Sequence, residues 1–264
     1  MQVDAGLAGA LAAVFSPSRR GTVASVRTTP PLELRGGFHG DAGVTRFFLR
    51  NVTAGILDGD ANEVTLCVKP GARVRVEPSS ATRVFPAKCR GGSTRLSVEA
   101  HDGSAAVVSG GLTILHAGAA YSQTTDLVAE PGARLAYLDL VSLGRTASGE
   151  HPSFRSFHSE LVIRERGAVE PLYEERYDLH LGSHAVEVHE AFGGCSVAGT
   201  AVLLGGGPVR PALPETTTED LYFGSTSLPG DAGLLVRALG HRAELVAGVL
   251  EQFVATHMCS EGSD

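Results

Sequence analysis

The chain has no tryptophan, and aromatic residues make up only 6 % of its 264 positions. It has two lysines, Lys69 and Lys88. With no basic stripe and a formal net charge of −7, it lacks the electrostatic footprint of a nucleic-acid binder. The cysteines, at 67, 89, 195 and 259, form no Cys-x-x-Cys pair, which argues against a zinc knuckle. Unpaired thiols suit a reducing compartment, so the expected location is cytoplasmic. Residues 5–15 are apolar, yet Asp4 precedes them and no basic residue does, which is the wrong charge for a secretory leader. The run is also far shorter than the roughly 20 residues that cross a bilayer. A soluble protein without a membrane partner is expected, with the Asn51-Val52-Thr53 sequon unused. No phosphate-binding loop is present, which argues against nucleotide hydrolysis by this chain, and no Gly-x-Ser-x-Gly elbow marks a hydrolase.

What is present is a globular composition, 43 % hydrophobic and 19 % charged. Residues 1–21 are Ala-rich and read as a short helix or a loose lead-in. From Thr22 the texture is of strands. Residues 62–68 alternate, with Val64, Leu66 and Val68 on one face. Pro70-Gly71 is a type II turn signal, and residues 73–77 return from it. The tetrapeptide Pro70-Gly71-Ala72-Arg73 recurs as Pro131-Gly132-Ala133-Arg134, each copy following a charged residue, which suggests stacked strand–turn–strand layers. Further short strands are expected at 94–100, 105–109, 112–117, 120–127, 157–164, 169–178, 185–189, 196–204 and 233–239. A long irregular connection runs from Gly205 to Thr218. Leu245, Val246, Val249, Leu250, Phe253 and Val254 recur at helical spacing and form one apolar stripe. The fold class expected is mainly β: packed or stacked sheets of many short strands with a C-terminal helix, one domain over 22–256 and a polar tail over 257–264.

The stretch 137–150 organises this pattern. Tyr137, Asp139, Val141 and Leu143 face one way and Leu138, Leu140 and Ser142 the other, so the strand lies inside the protein and not at an edge. It breaks into Gly144-Arg145-Thr146-Ala147-Ser148-Gly149-Glu150, a glycine-rich turn carrying an Arg and a Glu. Such a turn is either a site or a plain β-turn with a surface ion pair. Histidines are scattered, and His180 and His184, four apart, sit in strand texture that does not suit a helical metal pair. The acids carry more information. Asp58, Asp60, Asp139, Glu150, Glu174 and Glu175 fall in turns or at strand ends, and a buried carboxylate must be paired, hydrated or metal-bound. Oxygen ligands of this kind hold a divalent transition metal loosely, which suits transfer more than storage.

Several stretches resemble one family, the urease accessory protein UreD (UreH in some organisms). Ala54 to Asp60 is similar to its Gly-Gly-Leu-Leu-Gly-Gly-Asp-like stretch. Ser79-Ser80-Ala81-Thr82-Arg83-Val84-Phe85 resembles its Ala-Thr-Lys-Val-Tyr segment, and 144–150 its Gly-Arg-x-Ala-x-Gly-Glu turn. Asp58 departs from the family's usual glycine, Arg83 from its lysine, and the closing Pro-Arg-x-Trp is missing. The resemblance implies a non-enzymatic scaffold that helps load nickel into apo-urease. It implies partnership with apo-urease and the accessory proteins UreF and UreG, with GTP used by UreG and nickel handled in transit without a tightly bound cofactor. On that reading Asp60 and Glu150 line or brace a nickel passage, supported by Asp58, Asp139, Arg145 and Glu175. The alternatives are a scaffold of the same fold that handles no nickel and, more remotely, a carboxylate-dependent hydrolase using Asp58 or Asp60 with Glu150.

Overall fold

The computed structural model describes residues 6–40, 43–145, 148–150, 152–181, 188, 190, 192–205 and 220–258. In chain order its strands are β1 (Ala8–Ser18), β2 (Gly21–Thr29), β3 (Leu32–His39), β4 (Thr45–Asn51), β5 (Ala61–Val68), β6 (Arg73–Pro78), β7 (Thr82–Val84) and β8 (Gly92–Ala100). They continue as β9 (Ala105–Leu115), β10 (Ala120–Ala129), β11 (Arg134–Ser142), β12 (Ser156–Glu165), β13 (Tyr173–His180), β14 (Val197–Leu204), β15 (Leu221–Ser227) and β16 (Gly233–Gly240), before helix α1 (Ala243–Met258). The first sheet runs β13-β12-β10-β8-β5-β1-β2, and the second β15-β16-β14-β11-β9-β6-β4-β3 with β7 beside β9. The mainly β class expected from the sequence is the class that forms.

At the centre the chain coils between the two sheets. β5 crosses to β6, β8 to β9 and β10 to β11, and each coil lays a parallel strand on the one before. The repeated Pro-Gly-Ala corner is the device that makes the crossing. Gly71 (φ 75°) and Gly132 (φ 84°) take the left-handed turn, and Ala72 and Ala133 donate back to the carbonyls of Lys69 and Glu130. A third corner, His101-Asp102-Gly103-Ser104, stacks between them: the Gly71 N–H donates to the Gly103 carbonyl, and the Gly103 N–H to that of Gly132. The sequence repeat is therefore a real layer repeat with three turns, the middle one disguised by its different residues.

In the second sheet β11 and β14 are covered on both faces, whereas β1 and β5 of the first sheet alternate buried and exposed, with one face on the core. Leu11, Phe15, Val64, Leu66, Val98 and Leu127 of the first sheet pack against Val74, Val76, Val108, Leu135 and Val202 of the second. The far face of the second sheet is sealed by α1, whose Val246, Val249, Leu250, Phe253 and Val254 bury against Ala136, Leu138, Leu140 and Ala201. Gly199 sets that distance, because a Cβ there would come within 2.6 Å of Val246 Cγ1. β11 thus has both faces buried, as its two apolar faces require.

Two expectations change, and others fall outside the described residues. Residues 8–18 are neither helix nor lead-in: they form β1, with Leu11, Ala13 and Phe15 inward, in parallel register with β5. Alanine favours a helix, but here the period-two placement of larger side chains and a waiting strand edge decide. The separate strands at 105–109 and 112–117 are one strand, β9, bent at Gly110-Gly111. The strand expected at 185–189 falls on residues of which only Val188 is described, and the connection after Gly205 lies outside the described residues up to 219.

Candidate functional site

The bend in β9 builds the site. Ser109 pairs with Leu138 and Gly111 with Asp139, leaving Gly110 as the extra residue of a bulge. Bulges re-aim the side chains beside them. A Cβ on Gly110 would lie 2.9 Å from Asp139 Cβ and 3.1 Å from Tyr137 Oη, so the glycine makes room for both.

Asp139 stands where two internal cavities meet. The first, about 360 Å³, lies between the sheets and includes Asn62, Thr94, Tyr121, Gln123, Thr125 and Tyr137 in its wall. The second, about 370 Å³, shares Gln123, Thr125, Tyr137 and Asp139 with the first and adds Glu160, Glu175, Tyr177, Thr200 and Arg237. Gln123 Nε2 donates to Asp139 Oδ2 at 2.5 Å. Burial pushes the Asp139 carboxyl pKa upward, against the pull of the Gln123 amide, the Arg237 charge and the Tyr137 hydroxyl. Burial drives the Tyr137 phenol well above its ordinary value and Tyr121 to about 12, so both stay protonated donors. Asn62 Oδ1 is buried in the first wall without a hydrogen-bond partner, an acceptor suited to a guest or a water.

On the second cavity's wall Arg237 is the counter-charge. It pairs with Glu175, donates to the Thr200 hydroxyl and sits 5.5 Å from the centre of the Tyr177 ring. Burial pulls its pKa down, with Tyr173 and Asp139 pulling the other way. Tyr177 donates to Glu175 at 2.6 Å, and Glu160 is held by Arg176 at 2.8 Å. Both cavities have largely apolar walls interrupted by carboxylate, hydroxyl and amide oxygens, and among the described residues no histidine or cysteine lines them. Carboxylate and hydroxyl oxygens are ligands that hold a divalent cation less tightly than imidazole or thiolate does.

The structure brings together two of the residues expected from the sequence, Asp139 and Glu175, and sets the others at the loop end of the coils. Asp60 is buried but occupied: its carboxylate accepts from the N–H of Leu7 at 2.8 Å and of Leu57 at 2.9 Å. Glu150 accepts from the Arg145 backbone at 2.9 Å and its guanidinium at 3.0 Å, and this pairing holds its pKa down. Neither Asp60 nor Glu150 lines either cavity. Thr146 and Ala147 of that turn, His184 and Cys259 lie outside the described residues. Sequence reading passed over Gln123, Thr125, Glu160, Thr200 and Arg237. The glycine pair inside a strand was the legible sign of a bulge near a site.

Asp58 has a separate task. Its carboxylate accepts from four consecutive backbone N–H groups, Lys88 to Gly91, at 2.8–2.9 Å. These bonds, those from Cys89 and Gly91 foremost, bring its pKa from the ordinary 3.8 to about 2. A depressed carboxyl stabilises the fold above its unfolded value and loses that contribution as pH falls through the folded one. Hydrogen exchange at the 88–91 amides should therefore accelerate, relative to intrinsic rates, as pH drops from about 4 to 2. Asp58→Asn should erase this step; an unchanged step would show that Asp58 does not hold the loop.

Two coiled β-sheets covered by a helix, with Asp139, Glu160 and Glu175 on cavity walls that are otherwise largely apolar, define the class of this fold. A family comparison agrees: residues 8–261 match the model of the UreD urease accessory protein. The chain belongs to the UreD family. It is 32 % identical over 215 residues to the urease accessory protein UreD of Haloarcula marismortui, covering 77 % of this chain and 69 % of that one. It is 26 % identical over 257 residues to that of Delftia acidovorans, covering 88 % and 83 %. The family is one of accessory proteins of urease. Among the described residues no helix is long and apolar enough to cross a membrane.

Proposed function

We propose that this chain is a cytoplasmic urease-maturation scaffold that passes nickel through its interior to apo-urease. It works in a complex with UreF and UreG, and UreG spends the GTP. The observation that carries this reading is the pair of cavities joined at Asp139, with Glu175 and Glu160 further along the wall. Nickel is cargo here. Carboxylates replace part of its water shell and partly balance its charge, while Arg237 keeps the wall from becoming a trap. Asp60 braces the entrance to β5 beside Asn62, and Glu150 with Arg145 fixes the loop after β11, so both act on the passage by holding its frame.

The test is complementation of a urease-producing host that lacks its own copy, with Ser159→Phe as a plug on the second cavity's wall. Urease should co-purify with the variant complex as with the parent, yet carry at least about tenfold less nickel, a barrier change of about 1.4 kcal/mol. Full nickel content with the plug in place would overturn the passage. Failure of the parent chain to co-purify with urease would overturn the scaffold role itself.

A further inference from the structure

On the outer face of the first sheet, apart from both cavities, the coil repeat assembles a second group of ligand-type side chains. Val68 and Ala100 point into the core, so their neighbours Cys67 and Glu99 point out, directly paired across β5 and β8. One step on, at the corners, Lys69, His101 and Glu130 stack in successive coils, tied by the His101 N–H to the Val68 carbonyl and the Glu130 N–H to the Ala100 carbonyl. The His101 side chain is only 14 % exposed. Its Nδ1 lies 3.2 Å from Glu130 Oε1. Its Nε2 lies 3.4 Å from Cys67 Sγ and 3.5 Å from Glu99 Oε1. All three donor atoms fall within 4.8 Å of one another.

We propose that Cys67, Glu99 and His101 form a binding site for one divalent transition cation of borderline softness, separate from the interior passage. Two ligands at roughly 2.0 and 2.3 Å from a tetrahedral ion stand roughly 3.5 Å apart, the spacing these atoms already have. Glu130 acts as the positioning residue. Its carboxylate accepts a hydrogen bond from the His101 Nδ1–H and so leaves the Nε2 lone pair to the ion, the carboxylate–histidine arrangement that supports metal ligands elsewhere. Thiolate and imidazole together select ions of the zinc, cobalt and nickel type over magnesium or calcium. In the ion-free state two side-chain cations hold the place: Lys69 Nζ is 3.3 Å from His101 Nε2, and Arg166 bridges Glu99 and Glu130. Binding displaces Lys69, leaving a fourth position for water, and Arg166 keeps Glu130.

The test uses the purified full chain and Co²⁺ alone as probe. One equivalent should bind and give a near-ultraviolet thiolate-to-cobalt charge-transfer band. Cys67→Ser should abolish the band, and His101→Ala should weaken binding at least about a hundredfold, the loss of about 2.7 kcal/mol. Glu130→Gln should cost about 10–100-fold in affinity. Lys69→Met removes no ligand and should tighten binding about tenfold, because a neighbouring positive charge no longer opposes the ion. Asp139→Asn should leave the band intact, which separates this site from the passage. Absence of a band in the parent chain, or a band that survives Cys67→Ser and vanishes with Cys89→Ser, would overturn the site. So would Lys69→Met leaving affinity unchanged, whatever the fate of the other variants.

Discussion

Replacing Asp139 with asparagine is expected to raise the melting temperature of the isolated chain while lowering urease nickel content at least about tenfold. The two effects share one cause. Asp139 is walled in beside the cavities, and burial raises its pKa. For a carboxyl whose folded pKa lies above the unfolded one, the folded state binds its proton more tightly. That contribution is complete below the unfolded value and is lost as pH rises through the folded value. Above the unfolded value the buried carboxyl therefore opposes folding, and asparagine, of the same shape, removes the opposition. The melting advantage should shrink to nothing in acid, where the parent carboxyl is already protonated. The same substitution deletes the negative charge at the junction of the cavities. A unit charge at about 4 Å is worth about 4 kcal/mol at an effective dielectric of 20, so a passing cation feels the loss. Melting curves against pH, with nickel analysis of co-expressed urease, check both halves. Equal melting temperatures at every pH would show that Asp139 is well solvated. Undiminished nickel would remove it from the route.

Arg237→Met should destabilise the fold by about 2 kcal/mol or more. Removing one partner of a buried pair costs about 3–5 kcal/mol, discounted here because the Arg237 side chain keeps 31 % of its exposure. The substitution strands Glu175 and takes away the charge that offsets Asp139. The double variant Arg237→Met, Glu175→Gln should recover most of the loss, since neither charge is then left alone. Denaturant titrations of the two single variants and the double complete the cycle. If the losses simply add, Arg237 acts through packing and not through Glu175. In complementation, Arg237→Met should leave the wall more acidic and retain nickel on the scaffold, so that urease receives less.

The order of the fold was largely legible. The apolar alternation of 62–68 gave β5, the two apolar faces of 137–143 gave a covered strand, and the 245–254 stripe gave α1. These are local signals, set by side-chain period against one buried face. The Ala-rich residues 8–18 misled because small residues carry little period, and only the edge of β5 fixes them as a strand. The site was half legible. Asp139 and Glu175 were named from strand-end chemistry, 36 positions apart in the chain, and the fold sets both on one cavity wall. Asp60 stood out by its motif position, yet its oxygens hold backbone amides. Asp58, where the family usually has glycine, follows the same logic by capping 88–91. Motif rank reports that a carboxylate matters, not whether it serves the frame or the cargo.

By itself the sequence determined the β class, the corner turns, the covered central strand, the C-terminal helix and the family. Each of these depends on periods and turn residues within a dozen positions, where local backbone preference and burial agree. Tertiary structure alone decided which acids share a space. Coiling stacks residues about thirty positions apart at one height, a one-glycine bulge in β9 makes room for Asp139, and Arg237 arrives from the far end of the chain to balance it. Charge balance inside a protein is a matter of distance through space, and no spacing along the chain encodes it.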